Sequence, residues 1–523
     1  MVILGAGPAG LTAAYELMRH EVPVRVLERE GRYVGGIART EEHNGYRFDI
    51  GGHRFFSKNL EIEELWTEIL GEEMLRRGRL SRIYYQGRYF DYPLKPVNAL
   101  RNLGPVETVR CLASYAEARL RPVQNPRSLE DWVRNQFGYR LYSIFFKTYT
   151  EKVWGISTKE LSADWAAQRI KGLDLGQVVK NALLPGRKPK ERGAVIKTLI
   201  DEFRYPRRGP GQLWERVAEL LAARGMPVQM SHTVQALRHR EGRVTTAVVR
   251  DGNGAEVQVP GSDFISSLPI RQLVESLEPA PPAEVLGAAR ALSYRDFLTV
   301  ALMLRRREVF PDNWIYIHEP GVKVGRIQNF KNWSPDMVPD PETTCLGLEY
   351  FCFQGDELWT AADAELVALA SAELEQLGIS RPGEVFDGVV VRQEKAYPVY
   401  DDAYQEHVGV VRRYLEAELP NLHLVGRMPK AYPVYDEGYL DALAVVRDYL
   451  DGFCNLQVAG RNGMHKYNNQ DHSMMTALLV ARNIGLGSDY DPWRVNADAE
   501  YHEEQREGEP DTSGRRMPQR LAV

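Results

Sequence analysis

A glycine-rich turn at the start of the chain, between an apolar run and a helical run, most restricts the possible folds. Gly5, Gly7 and Gly10 follow the opening apolar residues, and a second apolar run ends at Glu28. In such a unit the glycines permit a tight turn, close approach to a pyrophosphate and close helix packing, and the acid can bond ribose hydroxyls. An ordinary strand-to-helix turn is the alternative. We predict cofactor contacts from Gly5, Gly7, Pro8, Ala9, Gly10 and Glu28.

A second glycine turn follows the predicted nucleotide unit. Gly35 and Gly36 are followed closely by Arg39. A guanidinium can neutralise a pyrophosphate through charge-assisted hydrogen bonds. This addition favours FAD over NAD. The predicted cofactor site therefore also includes Arg29, Gly35, Gly36 and Arg39.

A polar segment near the C-terminus, from Gly460 to Ser473, precedes an apolar helical run. It concentrates an arginine, two histidines, a tyrosine and several amides. Free backbone N–H groups and the helix dipole favour an anionic group or an electron-rich ring at such a helix start. A polar helix cap is the alternative. We predict further cofactor contacts from Gly460, Arg461, Gln470, Asp471 and Ser473.

The composition excludes several classes of protein. The chain has 523 residues, 44% of them hydrophobic and 26% charged, which is typical of a soluble protein of two or three domains. A formal charge of -5 argues against a general nucleic-acid role. The four cysteines show no metal-ligand spacing, and no apolar run is long enough for a bilayer span. We therefore predict a cytoplasmic protein without a metal site.

Signals of a cofactor domain recur in three separated parts of the chain, near the start, around Val234 and in the C-terminal segment. We predict an α/β fold with a discontinuous Rossmann-like FAD-binding domain, a helical insertion and a mixed or antiparallel sheet on the substrate side. The predicted parts are the FAD-binding domain at 1–80, 198–270 and 395–495, substrate-sheet strands at 81–97, the helical insertion at 98–197, the substrate-binding sheet domain at 271–394 and a disordered tail at 496–523.

A local duplication lies within the last FAD-binding part. The seven-letter run that starts at Lys395 recurs at Lys430. Two copies are too few for a solenoid. Only the second copy leads into the polar C-terminal segment, so we predict that the second copy belongs to the site.

These glycine turns resemble those of the flavoprotein superfamily that includes amine oxidases, protoporphyrinogen oxidases and UDP-galactopyranose mutases. The run from Phe48 to Lys58, with Gly51, Gly52 and His53, is similar to the mobile histidine loop of the eukaryotic type of these mutases. The resemblance implies that Gly51, Gly52 and His53 lie at the flavin. A histidine in a simple turn is the alternative.

A second resemblance concerns a substrate diphosphate. Tyr316 and Arg326 keep the spacing of a mutase tyrosine and arginine that grip this group. A forked guanidinium can bridge two phosphate oxygens, and a tyrosine hydroxyl adds a neutral donor. The resemblance implies a second cation from the other side, Arg461. It implies further contacts from Tyr432, Tyr467 and Asn469.

Three further matches concern the cleft. Trp154 and Arg169 are similar to a mutase tryptophan in the cleft and an arginine near the flavin, and Tyr92 is similar to a uridine-side tyrosine. The sequence departs from the mutase pattern at Lys58, Lys95 and Thr150. Lys95 stands where a glutamine binds substrate, so we keep it as a substrate-binding candidate. These departures fall where the nucleotide or sugar would be recognised.

The resemblance implies two classes of function. In a nucleotide-sugar mutase, N5 of reduced FAD attacks the anomeric carbon, and pyranose and furanose rings interconvert. In an oxidoreductase of the amine oxidase or protoporphyrinogen oxidase type, the flavin accepts hydride. Paired cations and tyrosines favour the mutase. We predict FAD, with NAD(P)H a candidate electron donor, a nucleotide-sugar substrate and a homo-oligomer as one possible state. A flavoprotein kept only as a scaffold has little support.

Overall fold

The computed structural model describes residues 1–57, 59–92, 94, 96–161, 197–199, 202–241, 243–291, 294–398, 422–423, 456–460, 469–490, 492, 495 and 504–506. Three groups of elements position the site. They are a five-stranded parallel sheet with its helices, a seven-stranded mixed sheet, and the helices between residues 96 and 154.

The parallel sheet has five strands that come from distant parts of the chain. In spatial order they are Arg25–Leu27, Val2–Leu4, Phe264–Ser266, Leu456–Val458 and Leu422–His423. Three long helices pack together beside this sheet, Pro8–Arg19, Gly211–Ala223 and Gln470–Gly485. The first of them is buried along most of its length because it contacts the sheet and both other helices. Its apolar side chains share one core with Trp214 and Met474.

The mixed sheet has seven strands. In spatial order they are Val385–Pro398, Tyr294–Leu304, Thr344–Cys352, Arg326–Asn329, Trp314–Ile317, Ser81–Tyr85 and Arg88–Asp91. All neighbours are antiparallel except Trp314–Ile317 and Ser81–Tyr85, which run parallel. Every residue of Tyr294–Leu304, the second strand in this order, is buried, since both faces of the strand are covered. The predicted α/β fold with a mixed substrate-side sheet is confirmed.

The segment that follows the strands Ser81–Tyr85 and Arg88–Asp91 is mostly helical as far as Trp154. Its helices are Pro96–Leu103, Pro105–Leu120, Leu129–Tyr142 and Thr148–Trp154, with a π-helical turn at Ser143–Lys147. Ser128 caps the third helix through a reciprocal pair of hydrogen bonds with Asp131. Within the described residues no helix is both long and apolar enough to cross a membrane.

The remaining elements connect these groups. A four-stranded sheet contains Glu256–Pro260, Arg243–Arg250, Thr233–Arg240 and Leu277–Glu278. Two-stranded sheets pair Thr40–His43 with Tyr46–Asp49, Met74–Gly78 with Glu202–Pro206, and Lys197–Leu199 with Glu504–Arg506. The other helices are Leu60–Leu70, Ile270–Glu275, Ala283–Ala291, Phe330–Trp333, Glu357–Thr360 and Asp363–Gln376, and short 3-10 turns span Gly36–Ala38, Gly71–Glu73 and Pro335–Met337. The predicted domain boundaries stay predictions, and most of the duplication lies outside the described residues.

Candidate functional site

A cleft of about 490 Å³ lies at the carboxyl ends of the parallel strands. This edge of an open parallel sheet is where nucleotide ligands bind in α/β folds. Segments from both ends and the middle of the chain line the cleft. Of the predicted cofactor residues it is lined by Gly5, Gly7, Pro8, Ala9, Glu28, Arg29, Gly36, Arg39, His53, Val234, Gly460, Gln470 and Ser473.

The first glycine turn has no room for side chains. Gly5 has φ +102°, and a Cβ there would lie 2.3 Å from the Ser267 Oγ. A Cβ on Gly10 would lie 1.9 Å from the carbonyl oxygen of Gly5. A Cβ on Gly36 would lie 3.3 Å from the Cα of Gly7, so the two glycine turns meet backbone to backbone. This packing leaves bare peptide groups along the cleft, a surface that a pyrophosphate can approach.

Glu28 holds the turn as well as lining the cleft. Its Oε2 accepts a hydrogen bond from the Ala6 N–H at 2.7 Å, and its Oε1 accepts one from the Glu30 N–H at 2.9 Å. A carboxylate has about four lone-pair sites. Both oxygens therefore keep acceptor capacity, and the role of Glu28 at a ribose stays a prediction.

Arg39 is held beside the cleft by two side chains. Its Nε donates to the Glu41 Oε1 at 2.6 Å, and its Nη1 donates to the Gln393 Oε1 at 2.8 Å. These contacts fix the guanidinium direction within a largely buried site. Arg29 differs, because it is exposed and lies 3.8 Å from the Glu394 carboxylate. Neutralisation of a pyrophosphate by Arg39 remains a prediction.

The turn that carries His53 lies against the strand Arg326–Asn329. Gly51 has φ +92°, and its Cβ position is 3.8 Å from the Arg326 Nη2 and 3.9 Å from the His53 Cε1. A Cβ on Gly52 would lie 2.9 Å from the Gln328 Nε2. The missing side chain at Gly52 thus allows the turn to approach Gln328, and the positive φ of Gly51 gives the turn its shape. His53 lines the cleft.

Arg326 forms an ion pair with Glu349, a fully buried carboxylate on the neighbouring strand. The Arg326 Nε donates to one carboxylate oxygen, and the Gln328 Nε2 donates to the other at 2.8 Å. Burial raises the pKa of Glu349, and the Arg326 and Gln328 donors oppose this rise. Sequence reasoning missed Glu349. It is the charged residue in the otherwise uncharged strand Thr344–Cys352, a signal that could have identified it.

Tyr316 lies directly opposite Arg326 in the strand pairing and belongs to an aromatic group. Its ring centroid is 4.8 Å from that of Tyr92, 5.4 Å from that of Tyr149 and 6.4 Å from that of Trp314. The Arg54 guanidinium carbon lies 5.1 Å from the Trp314 centroid. The structure therefore places predicted residues Tyr92, Tyr316 and Arg326 in one region, with aromatic faces beside cations.

The sequence pattern of one family, flavin containing amine oxidoreductase, matches residues 8–428, most of the chain. The chain belongs to the flavin containing amine oxidoreductase family. It is 25% identical to the coproporphyrinogen III oxidase of Mycobacterium leprae (strain TN) over 433 residues, which cover 80% of this chain and 91% of that protein.

Two mutases are also similar to this member of the amine oxidoreductase family. It is 27% identical to the dTDP-fucopyranose mutase of Escherichia coli over 172 residues, 31% of this chain and 44% of that protein. The crystal structure of a reduced UDP-galactopyranose mutase matches with a TM-score of 0.72 and 20% identity, and the match covers 96% of this chain and 99% of that one. The structural match shows a shared fold.

Membership of this amine oxidoreductase family implies a flavin, with FAD as the cofactor, and the cleft residues fit it. The Gln470 side chain lines the cleft, and its buried Nε2 and Oε1 have no hydrogen-bond partner within the described part of the chain. Gln470 begins a 16-residue helix. The polar edge of a flavin ring carries hydrogen-bond donors and acceptors, which the Gln470 amide can pair. The ring also accumulates negative charge on reduction, which the helix N-terminus stabilises. Among the described residues, no acidic, histidine and cysteine cluster could hold a metal ion.

Several predicted cofactor residues stand behind the cleft and do not line it. Gly35 allows close packing on Trp214, whose Cδ1 would lie 2.8 Å from a Cβ at Gly35. Asp471 accepts a hydrogen bond from the Ser57 Oγ at 2.9 Å, so it ties the far end of the histidine loop to the helix start. Gly10 packs on the backbone of Gly5, Gly52 packs on the Gln328 side chain, and Gly51 has a positive φ. Direct contact with the cofactor stays a prediction for all five.

The structure describes two of the remaining predicted site residues, Trp154 and Asn469, and the others lie outside the described residues. Trp154 is buried in a core cluster with Leu129 and Val133 and does not line the cleft, so its predicted substrate contact stays a prediction. Asn469 is described at the helix start, where its N–H donates to the His472 Nδ1 at 3.3 Å. Five predicted residues and one departure lie outside the described residues: Lys95, Arg169, Tyr432, Arg461, Tyr467 and Lys58.

A fully buried carboxyl group, that of Asp49, lies just before the histidine turn. The Tyr205 O–H donates to its Oδ2, and the Thr40 O–H donates to its Oδ1 at 3.2 Å. Thr40 Oγ1 in turn accepts a hydrogen bond from the Gly211 N–H at 3.0 Å. Burial raises the pKa of Asp49 from 3.8 to about 8. Through Thr40, Asp49 therefore links the sheet of Thr40–His43 and Tyr46–Asp49 to the start of the Gly211–Ala223 helix, and its raised pKa favours the protonated carboxyl at neutral pH.

Asp49→Asn is expected to make the free energy of unfolding less dependent on pH. The folded protein keeps a proton that the unfolded chain releases between about pH 4 and about pH 8. The stability contributed by Asp49 is therefore complete below about pH 4 and falls by up to about 1.4 kcal/mol per pH unit above it. Urea denaturation across this window measures the slope. Glu72→Gln, at an exposed carboxyl, is the control, and an Asp49→Asn slope equal to that of wild type would contradict the assignment.

Proposed function

We propose that the protein is a flavin-dependent nucleotide-sugar mutase that interconverts pyranose and furanose rings. The observation that carries the proposal is the position of Arg326 under the histidine turn, with Tyr316 opposite it in the sheet. A diphosphate needs a cation and neutral donors at this point, and a nucleotide base needs aromatic faces to stack on. The group of Tyr92, Tyr149 and Trp314 around Tyr316 provides such faces.

The residues of this chain have separable roles in the proposed reaction. Bound, reduced FAD supplies the nucleophile for the anomeric carbon. Arg326 stabilises the charge of the departing diphosphate, and its direction is fixed by the hydrogen bond to Glu349. The Tyr316 hydroxyl donates a hydrogen bond to the same group. His53 lines the cleft, where it positions the flavin.

A second candidate function is an FAD-dependent oxidoreductase of the amine oxidase or protoporphyrinogen oxidase type. The observation in its favour is the match to 91% of the length of the coproporphyrinogen III oxidase. Arginines could also bind the carboxylates of such a substrate. The mutase is preferred because Arg326 and the tyrosines form a compact polar and aromatic group, whereas a large macrocycle needs an extended apolar pocket.

One pair of assays separates the two functions. The purified, flavin-loaded protein is incubated with UDP-linked and dTDP-linked hexopyranoses, with and without dithionite, and the products are separated by chromatography. We expect furanose products only with reduced flavin, because the proposed nucleophile exists only in the reduced form. The same preparation is then tested for oxygen-dependent oxidation of coproporphyrinogen III. Oxidation of the porphyrinogen without ring interconversion of any sugar would overturn the mutase. NAD(P)H as the electron donor stays a prediction that the same preparation can test.

A further inference from the structure

The helix Pro105–Leu120 carries an unusual exposed apolar stripe. Val106 and Val109 are each 65% exposed and Leu120 is 82% exposed. Two exposed alanines continue the line between them, so the stripe consists of Val106, Val109, Ala113, Ala116 and Leu120. Successive members are three, four, three and four positions apart. This spacing places one narrow seam along a helix, the pattern of helices that pair with another helix.

The side of the helix opposite the stripe packs against the rest of the protein, so the orientation of the stripe is fixed. Cys111, on the inner face, is 1% exposed. The neighbouring helix Leu129–Tyr142 approaches so closely that a Cβ on Gly138 would lie 2.6 Å from the Tyr115 backbone nitrogen. The Ser114 Oγ also accepts a hydrogen bond from the Arg140 N–H at 3.1 Å. The apolar stripe therefore faces outward because the helix is packed, and a partner can meet it without rearrangement.

We propose that this stripe is the contact surface between two copies of the chain, whose helices pair antiparallel about a two-fold axis at Ala113. The spacing is nearly symmetric about that residue, because Val106 and Leu120 are each seven positions away while Val109 is four and Ala116 three positions away. Val106 of one copy lies opposite Leu120 of the second copy, Val109 lies opposite Ala116, and Ala113 meets itself. The small alanines at the centre let the helices approach closely, while the larger residues cover both ends.

The charges beside the stripe have the same symmetry. Arg110 and Glu117 are exposed and stand almost equally far from Ala113, on the two sides of it. The two-fold axis brings Arg110 of each copy opposite Glu117 of the other, which gives two equivalent ion pairs. Arg110 already lies 3.5 Å from Glu107 of its own chain. The Arg110 side chain is 65% exposed, and Glu107 also forms an ion pair with Arg140, so Arg110 can leave Glu107 for Glu117 of the second copy at little cost.

The size of the surface predicts a concentration-dependent dimer. A helix of 16 residues is about 24 Å long, and one helix pair buries less than a standard interface of roughly 1,600 Å². A membrane is the less favourable occupant, since charges of both signs border the stripe.

Charge reversal in the full-length, flavin-loaded protein tests the pairing. Arg110→Glu and Glu117→Arg are each expected to weaken dimerisation in sedimentation equilibrium by about tenfold, because both ion pairs become repulsive. A chain that carries both changes is expected to dimerise as well as wild type, because the two ion pairs form again with their charges exchanged. Mixing the two single variants also restores dimerisation, since all four facing charges are then opposite. Arg240→Glu, at an exposed arginine far along the chain, is the control for net charge.

A cysteine at the axis gives an independent test. Ala113→Cys in a Cys454→Ser background is expected to form a covalent dimer on mild oxidation, because position 113 meets its own copy. Val106→Cys alone is expected to remain uncrosslinked, because its counterpart is at the opposite end. The native cysteines Cys111, Cys345 and Cys352 are buried.

Three outcomes would overturn the proposal. One is a monomer at every soluble concentration. Another is a dimer that neither the charge variants nor Ala113→Cys affects. The third is a monomer that binds vesicles containing phosphatidylglycerol and loses that binding in Val109→Glu, which would assign the stripe to a lipid surface. Flavin absorbance and the melting temperature of each variant verify that it is folded.

Discussion

Arg326→Ala is expected to lower the free energy of unfolding by about 3–5 kcal/mol and to weaken UDP binding by about 2–4 kcal/mol. The first effect arises because Glu349 is fully buried and loses its cation. The second arises because the diphosphate loses a charged donor in a partly desolvated site. Urea denaturation measures the first quantity, and isothermal titration calorimetry with UDP measures the second.

A double variant separates the two effects of Arg326. Arg326→Ala combined with Glu349→Gln no longer leaves a buried charge without a partner, so stability should recover in large part while UDP affinity stays low. Arg307→Ala, at an exposed arginine near Glu342, is the matched control and should change neither quantity appreciably. Wild-type UDP affinity in the double variant would remove Arg326 from the substrate site.

Gly10→Ala is expected to yield protein with little bound flavin. The added Cβ would lie 1.9 Å from the carbonyl oxygen of Gly5 and 3.3 Å from the Ile3 Cγ2, so the glycine turn and the first helix cannot both keep their positions. Displacement of the turn removes the close approach that a pyrophosphate requires. The visible absorbance of the purified protein, relative to its protein absorbance, measures flavin content.

The control for Gly10→Ala is Ala13→Gly, three residues later in the same helix and not part of the cleft lining. This change weakens the helix by about 1 kcal/mol without adding an atom near Gly5. Its flavin content should stay close to that of wild type. Equal losses in Ala13→Gly and Gly10→Ala would mean that helix stability, and not the shape of the turn, controls flavin binding.

Local sequence patterns predicted many of the residues that line the cleft. The strand, glycine turn, helix and Glu28 of the N-terminal unit are close in sequence, and their shape depends on sterics that glycine alone satisfies. At Gly35 the local pattern predicted a cofactor contact but could not show which group packs against the glycine. A glycine pair can serve a cofactor or a neighbouring side chain, and the neighbour here, Trp214, lies far along the chain. Only the tertiary structure shows that contact.

The site features that the sequence did not predict depend on contacts between segments that are far apart in the chain. Glu349 was missed because its partner Arg326 lies on an adjacent strand, and strand order cannot be read from one sequence. Asp471 was placed at the cofactor from its position in a polar run, whereas the structure bonds it to Ser57. The predicted clamp between Arg326 and Arg461 stays a prediction, because Arg461 lies outside the described residues.

The order of strands in the parallel sheet has a consequence for biosynthesis. Val2–Leu4 and Phe264–Ser266 are neighbours, and Leu456–Val458 is the next strand across, followed along the chain by Gln470, which lines the cleft. During translation the segments at 264–266 and 456–470 emerge long after the first strand, so a nascent chain that lacks them has an incomplete cleft wall. We expect such a chain to retain the coenzyme poorly.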